Sequence, residues 1–181
     1  MTSKWNYCPL TSDEQKLESD LAKRFSATPP ISELLVQRGI SSVEEAEKFF
    51  HPSLSDLHDP FLMPDMDKAV NRLNTAMGAK EKIMVYGDYD VDGTTAVALV
   101  YKYLQNFYSN IDYYIPTRYD EGYGISKPTI DLAAEQGVKL IIILDCGIKA
   151  IEEIAYAQSL GIDFIICDHH VPDLSLIHIS E

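Results

Sequence analysis

Three short apolar runs, each followed within two residues by an aspartate, constrain the fold of this chain most strongly. The runs over residues 82–86, 139–144 and 163–167 have the length of strands, and the middle run is almost continuously branched, as in a strand buried on both faces. A fourth apolar run covers residues 111–115. Between these runs, apolar residues recur at helical spacing in three segments, 93–107, 126–136 and 149–160. Because strands alternate with helices, we expect an α/β fold in which a parallel sheet has flanking helices.

The first 80 residues predict a different kind of structure, a group of small helices without clustered polar chemistry. Apolar residues four apart predict a helix over 13–25 that is capped by Ser12, a second helix ends at Gly39, and Ser42 opens a third. We therefore divide the chain into a helical N-terminal region, residues 1–80, and an α/β domain, residues 81–172.

The first acidic cluster lies in the segment 87–93, which begins and ends with glycine and contains Asp88, Asp90 and Asp92. If the backbone stays extended after the strand, these carboxylates point to one side and can line a cleft. The two glycines permit a tight turn and the close approach of a ligand. A solvated acidic loop is the plainer alternative. An EF-hand calcium loop is excluded, because position twelve counted from Asp88 is Leu99 rather than Glu, and a strand precedes the loop.

The other two clusters follow the third and fourth predicted strands. Asp145 follows one of them, and Asp168, His169 and His170 follow the other. Taken singly, each cluster is also compatible with a polar strand end or a loop cap. The carboxyl ends of parallel strands share one edge, which is where ligands bind in such sheets. Since successive side chains diverge, we expect one histidine to bind a metal ion and the other to face the substrate, with Asp168 either a ligand or the group that orients an imidazole.

This mixture of carboxylates and imidazoles favours Mn²⁺ or Mg²⁺ over a structural zinc ion. Two such cations, ~3.5–4 Å apart, would bind a bridging water, lower its pKa and hold a phosphoryl group for in-line attack. The cysteines, Cys8, Cys146 and Cys167, form no CxxC pair, which is typical of free thiols in a reducing compartment. We interpret Cys146 and Cys167 as small buried strand-end residues rather than metal ligands. The sequence thus predicts a metal-dependent phosphoesterase.

The net charge and the distribution of apolar residues limit the partners of such an enzyme. The formal net charge is −13, which alone disfavours a nucleic-acid partner, but bound cations would neutralise the acidic clusters and attract phosphate. No apolar run approaches the ~20 residues that span a bilayer, and the N-terminus lacks the apolar core of a signal peptide. We expect a cytoplasmic protein without a membrane partner.

The three clusters resemble the motifs of the DHH phosphoesterase superfamily. Asp168-His169-His170 matches the motif that gives the superfamily its name, Gly87–Gly93 is similar to its first motif, and Leu144–Gly147 is similar to its second. Four segments without catalytic chemistry narrow the resemblance to the RecJ subgroup, and they are Pro30–Gly39, Glu44–Phe50, Leu57–Phe61 and Glu121–Gly124.

The resemblance implies an activity, a ligand set and partners. RecJ proteins are exonucleases that degrade single-stranded DNA from the 5′ end in recombination and repair, and single-stranded-DNA-binding proteins or helicases are the partners it implies. By this resemblance the metal ligands are Asp90, Asp92, Asp145 and His169, and the supporting groups are Asp88, Asp168 and His170. His170 and Arg118 are expected to bind the substrate phosphate.

RecJ proteins also carry a further aspartate motif. After it they have a second domain and an OB-fold, and these two domains grip DNA. Residues 173–181 do not resemble the segment expected after the DHH motif, so we interpret them as an atypical tail that arises from truncation or a sequencing artefact. We accordingly expect little or no exonuclease activity from residues 1–181 alone.

Two alternative functions stay open on the sequence. A DHH-type phosphatase, or a phosphodiesterase acting on cyclic dinucleotides or oligonucleotides, would use the same site chemistry, and only the N-terminal resemblance favours DNA. A binding module with a decayed site is the second alternative. The complete set of aspartates and histidines argues against it for the longer parent protein, but for residues 1–181 alone it stays open.

Overall fold

The computed structural model describes residues 6–117, 119, 121–122 and 124–172. The chain forms two compact units, one that ends at Asp59 and one that begins at Pro60. The predicted boundary at residue 80 lies after the helix that precedes the sheet, and this helix belongs to the second unit. The boundary at residue 80 stays a prediction of where the α/β domain itself begins.

The first unit is helical, as the sequence predicts. Its helices are α1 (Ser12–Phe25), α2 (Pro29–Gln37) and α3 (Val43–Phe50), followed by a 3₁₀ turn over Leu54–Asp56. Thr11 caps α1, not Ser12 as predicted, because its hydroxyl accepts the N–H of Glu14 and the Glu14 carboxylate accepts the N–H of Thr11. The core of this unit consists of Leu21, Leu35, Val36 and Ala46.

The second unit contains the predicted alternation of strands and helices. After a 3₁₀ turn over Pro60–Leu62, its elements are α4 (Met66–Gly78), β1 (Lys82–Gly87), α5 (Val91–Gln105), β2 (Ile111–Tyr114), α6 (Lys127–Glu135), β3 (Val138–Leu144), α7 (Ile151–Ser159) and β4 (Asp163–Cys167). All strand pairs are parallel, and the strand order is β2-β1-β3-β4. The expected α/β fold with a parallel sheet and flanking helices is confirmed.

Both faces of the sheet are covered, which explains why β3 is almost continuously aliphatic. On one face, Ile83, Val85 and Ile142 pack against Val97 and Leu104 of α5 and against α4. On the opposite face, apolar side chains of the alternate strand positions pack against α6 and α7; they are Met84, Tyr86, Ile141 and Ile143. None of the helices in the described part of the chain combines the length and the apolar character that crossing a membrane requires.

The register of the sheet aligns the ends of three strands. Gly87 at the end of β1 pairs with Leu144 of β3, and Leu144 pairs with Cys167 of β4. The residues that come next in each strand, Asp88, Asp145 and Asp168, therefore leave the sheet side by side. Strands β2 and β3 lie on opposite sides of β1, so the strand order reverses there, and a crevice opens at such a point beyond the carboxyl ends of the strands.

The turn between β1 and α5 depends on two glycines. A Cβ on Gly93 would lie 2.4 Å from the carbonyl oxygen of Asp88 and 2.6 Å from its nitrogen. A Cβ on Gly87 would lie 2.4 Å from Cγ2 of Val97 and 3.0 Å from the carbonyl oxygen of Gly93. Neither glycine has a positive φ, so the requirement is space: Gly93 packs on the backbone of Asp88, and Gly87 packs against the side chain of Val97.

Replacement of Gly93 by alanine should therefore destabilise the fold although alanine is the better helix former. We expect Gly93→Ala to lower the free energy of unfolding by about 1–3 kcal/mol or more, because the turn must open to admit the methyl group. The matched control is Gly78→Ala at the end of α4, where a Cβ would meet no atom within 4 Å. This control should leave the free energy of unfolding unchanged or raise it by about 0.4–1 kcal/mol. Urea unfolding of both variants measures the difference, and equal stability of the two would contradict this account of the turn.

Candidate metal centre

The backbone of the first acidic cluster does not stay extended as far as Asp92, so the condition under which its three carboxylates would point to one side is not met. Helix α5 begins at Val91, before the predicted start at residue 93, because Asp90 is its N-cap and accepts the N–H of Gly93 at 3.0 Å. Asp92 lies exposed in the first turn of the helix. Asp88 is only 3% exposed, and its Oδ1 is buried without a hydrogen-bond partner among the described residues.

Asp145 follows β3 in the left-handed backbone conformation, with φ 61°. Its N–H donates to the carbonyl of Cys167 at 2.9 Å, which extends the pairing of β3 and β4 by one residue. Its side chain is only 9% exposed, and Oδ1 lies 2.9 Å from Nε2 of His169. The backbone thus fixes this carboxylate at the carboxyl end of the sheet, facing the histidines.

Asp168 has its side chain 1% exposed, and polar groups of the protein contact both of its oxygens. Oδ2 accepts the N–H of Ile148 at 3.0 Å, while Oδ1 accepts the N–H of His170 at 3.0 Å and contacts its Nδ1 at 2.7 Å. Burial raises the pKa of this carboxyl group, but the hydrogen bonds from His170 and Ile148 lower it by more. Of the two predicted roles, the geometry favours the one that orients an imidazole.

The two histidines do not diverge, contrary to the sequence expectation. Their ring centroids lie 4.6 Å apart. The alternation of side chains applies within a strand, but β4 ends at Cys167, and the bond from the N–H of His170 back to Asp168 folds the backbone. His169 is 73% exposed and His170 46% exposed, so both rings face solvent at the mouth of the crevice.

One nitrogen of each histidine and one oxygen of Asp145 lie within 4.8 Å of one another. Among the described residues this is the group of donors that could hold a metal ion. Asp90 and Asp92 are outside this group, but their charges reach it. The pKa of Asp145 is raised by burial and by the negative charges of Asp90 and Asp92, while His169 opposes the shift.

These residues fit a hard divalent cation. Carboxylate oxygens and imidazole nitrogens are donors that Mn²⁺ accepts. A cation would offset the repulsion between Asp145 and the two aspartates at the start of α5. Asp88 follows β1 at the same edge of the sheet, and its buried oxygen, which has no partner among the described protein groups, is a further carboxylate donor there.

Burial raises the thiol pKa of both cysteines near the site and so disfavours their thiolate forms. Cys146 is fully buried, and burial together with the neighbouring aspartates raises the pKa of its thiol to about 12. A protonated thiol is a poor metal ligand. Cys146 is buried at the end of β3, as predicted. The prediction that Cys167 is also buried is wrong, because Cys167 ends the edge strand β4 and is exposed.

Known proteins resemble the chain over most of its length. Residues 82–180 match a family model described as the N-terminal domain of the DHH family. The chain belongs to the DHH family. Over 172 residues this DHH chain is 40% identical to the single-stranded-DNA-specific exonuclease RecJ of Bacillus subtilis, an alignment that covers 95% of the chain and 22% of that protein. The resemblance to the DHH superfamily and to RecJ proteins is confirmed.

Two solved structures resemble this DHH chain. A crystal structure of exonuclease RecJ bound to manganese is 32% identical with a TM-score of 0.55, and the match covers 59% of this chain and 27% of that one. RecJ from Thermus thermophilus, in complex with Mn²⁺, is 22% identical with a TM-score of 0.65, and the match covers 88% of this chain and 22% of that one. The second likeness shows the fold. The DHH chain spans about a quarter of the length of these proteins.

Glu121 is a positioning residue that the sequence singled out only as part of a resemblance. Its carboxylate accepts hydrogen bonds from three groups, the hydroxyl of Tyr114 at 3.0 Å, the N–H of Thr117 at 3.0 Å and the hydroxyl of Thr129 at 2.7 Å. It thereby ties the end of β2 to the start of α6. Beyond it, the hydroxyl of Tyr86 donates to the carbonyl of Gly124 at 2.7 Å. These bonds hold one wall of the crevice.

The structure does not test every predicted site residue. Arg118, which the resemblance implies as a phosphate ligand, and the tail over residues 173–181 lie outside the described residues. In the sequence, the glycines at positions 122 and 124 after a strand favour a turn beside Glu121. The partners of Glu121 come from separate elements and depend on the fold.

The Glu121 network predicts a pH-dependent contribution to stability. Burial raises the pKa of Glu121, but the three hydrogen bonds lower it by more, so the folded-state pKa lies below the ordinary value. A carboxyl group with a lowered pKa stabilises the fold above its unfolded-state pKa of about 4.3, and this contribution is lost as the pH falls through the folded-state value. Glu121→Gln should therefore cost about 1–3 kcal/mol near neutral pH and less in acid.

Urea unfolding at a series of pH values measures this difference. The matched control is Glu135→Gln, at an exposed position of α6. Its cost should stay small across the same range. If the loss of unfolding free energy caused by Glu121→Gln were as large in acid as at neutral pH, the role of the charged carboxylate would be contradicted.

Proposed function

We propose that this chain is the metal-binding catalytic part of an exonuclease that hydrolyses the phosphodiester bonds of single-stranded DNA from the 5′ end, in recombination and repair. The observation that carries the proposal is the convergence of Asp145, His169 and His170 donors within 4.8 Å at the carboxyl edge of the sheet. The similarity to single-stranded-DNA-specific exonucleases over 95% of the chain supports DNA as the substrate. The chemistry of the site alone would equally serve another phosphodiester.

We assign the metal ions, Mn²⁺ or Mg²⁺, to the residues predicted from the sequence. The proposed ligands are Asp90, Asp92, Asp145 and His169. Asp88 supports them through its buried carboxylate, and Asp168 supports them by orienting His170. The bound cations supply a water of lowered pKa and neutralise charge on the phosphoryl group.

The remaining residues hold the substrate. Nδ1 of His170 contacts Asp168, so we assign Nε2 of His170 as the group that donates a hydrogen bond to a phosphate oxygen. The hydrogen bond that Nδ1 of His170 donates to the Asp168 carboxylate raises the pKa of His170, which favours the imidazolium form that binds an anion best. The contact of Nδ1 with Asp168 leaves Nε2 as the nitrogen of His170 that can also bind a cation.

The cellular setting follows from this proposal. A DNA exonuclease of this kind would act in the cytoplasm, and single-stranded-DNA-binding proteins or helicases would be its partners. The net charge of −13 disfavours the binding of DNA to the metal-free protein. Cations at the acidic edge of the sheet would therefore have to bind before the substrate.

Removal of a single charge from the proposed ligands tests the assignment. Asn occupies the left-handed conformation of residue 145 readily and is as good an N-cap as Asp, so Asp145→Asn and Asp90→Asn should fold normally. We expect each to weaken Mn²⁺ binding, measured by electron paramagnetic resonance, by more than the roughly 10–100-fold that changes around metal ligands cost. In the full-length protein that contains this chain, the same substitutions should lower the hydrolysis of a 5′-labelled single-stranded oligodeoxynucleotide to the same extent.

The matched control is Asp112→Asn, which removes a carboxylate from an exposed position of β2. It should leave both measurements unchanged. Unchanged Mn²⁺ affinity in both site variants would contradict the ligand assignment. If the full-length protein turned over cyclic dinucleotides but not single-stranded DNA, the proposed substrate would be contradicted and the alternative phosphodiesterase favoured.

A further inference from the structure

Two tyrosines at the ends of neighbouring strands reach the same part of the crevice wall. Tyr86 of β1 and Tyr114 of β2 are paired across the sheet, and their rings stack with centroids 6.0 Å apart and planes 11° apart. The hydroxyl of Tyr86 donates to the carbonyl of Gly124 at 2.7 Å, and the hydroxyl of Tyr114 donates to Glu121 at 3.0 Å. Both hydroxyls therefore hold one short segment between β2 and α6.

This segment borders the candidate metal centre. We call it the wall segment, and its described residues are Glu121, Gly122, Gly124 and Ile125. Gly124 and Ile125 line the same cavity as Asp168 and His170. A Cβ on Gly124 would meet no atom within 4 Å, so the backbone of this residue faces open space. The position of the wall segment therefore sets the width of the crevice beside His170.

The wall segment depends on hydrogen bonds from other elements for its position. Gly122 and Gly124 have φ 78° and 79°, in the left-handed region, and glycine is the residue with the greatest conformational freedom. Ile125 anchors one end of the segment in the core. The Glu121 carboxylate holds the other end, and the bond from Tyr86 lies between the two ends. Tyr86 is fully buried, so its hydroxyl is a fixed donor that does not contact substrate.

We propose that Tyr86 and Tyr114 are positioning residues, which fix the wall segment beside His170 and thereby the fit of the substrate strand in the crevice. The inference rests on the proposed function, since it takes the substrate to be single-stranded DNA. The two tyrosines act only through the wall segment, and they hold no metal ion. An interaction away from the reacting phosphate stabilises the ground state and the transition state alike, so it affects KM rather than kcat.

Removal of the two hydroxyls from the full-length protein that contains this chain tests the proposal. Tyr86→Phe and Tyr114→Phe keep both rings, so the apolar packing should persist. Each substitution should raise KM for a single-stranded oligodeoxynucleotide by about two- to tenfold, the range that the loss of one hydrogen bond gives, and the double variant should raise it further. The kcat, and the Mn²⁺ affinity measured by electron paramagnetic resonance, should each change by less than about twofold.

Hydrogen exchange of the same variants measures the wall segment directly. Its backbone amides should exchange faster in each variant than in wild type, because a hydrogen bond that holds the segment is missing. Tyr156→Phe is the matched control, since it removes a hydroxyl that donates to Asp131 at 2.6 Å between α7 and α6, outside the wall segment. This control should leave KM and the exchange rates unchanged.

Unchanged KM in the double variant would overturn the proposal, and so would a loss of Mn²⁺ affinity that accompanies the rise in KM, which a purely structural role would produce. If the double variant does not fold, Tyr86→Phe decides. Absence of single-stranded-DNA hydrolysis by the wild-type full-length protein would instead contradict the proposed function. Hydrogen exchange then still decides whether the tyrosines hold the wall segment, and unchanged exchange rates would overturn that role.

Discussion

The parallel register of β1, β3 and β4 is the constraint on which the candidate site depends. Because Gly87 pairs with Leu144 and Leu144 pairs with Cys167, the next residue of each strand is an aspartate at the same edge. Three carboxylates in such a row repel one another and lose hydration. The chain offsets this cost differently at each position, and those differences separate the roles of Asp88, Asp145 and Asp168.

Asp168 is stabilised by the backbone N–H groups of Ile148 and His170, so the protein itself satisfies its charge. Asp145 has His169 as its partner and also faces the charges of Asp90 and Asp92. Asp88 has a buried oxygen without a partner among the described protein groups. The uncompensated charge is thus concentrated at the ends of β1 and β3, beside the point where the strand order reverses, and this is where a cation would stabilise the structure most.

The strands and their order of occurrence could be predicted because a strand covered on both faces must be aliphatic at consecutive positions, as in Ile141, Ile142 and Ile143. The backbone path beyond the end of each strand could not be predicted. Whether Asp90 continues a strand or caps a helix depends on the contact of Gly93 with the Asp88 backbone, and the approach of the two histidine rings depends on a bond from His170 to Asp168. The three partners of Glu121 come from β2, the loop after it and α6, so only the assembled fold brings them together.

The binding of a divalent cation beyond the carboxyl ends of β1 and β3 is the central claim. The most direct measurement is anomalous diffraction at the manganese edge from crystals of this chain grown with Mn²⁺. We expect a manganese peak in contact with the Asp145 carboxylate and the His169 imidazole, with the start of α5 supplying further oxygens. Manganese bound only at other acidic groups, or no peak at Asp145 in crystals saturated with the ion, would contradict the claim.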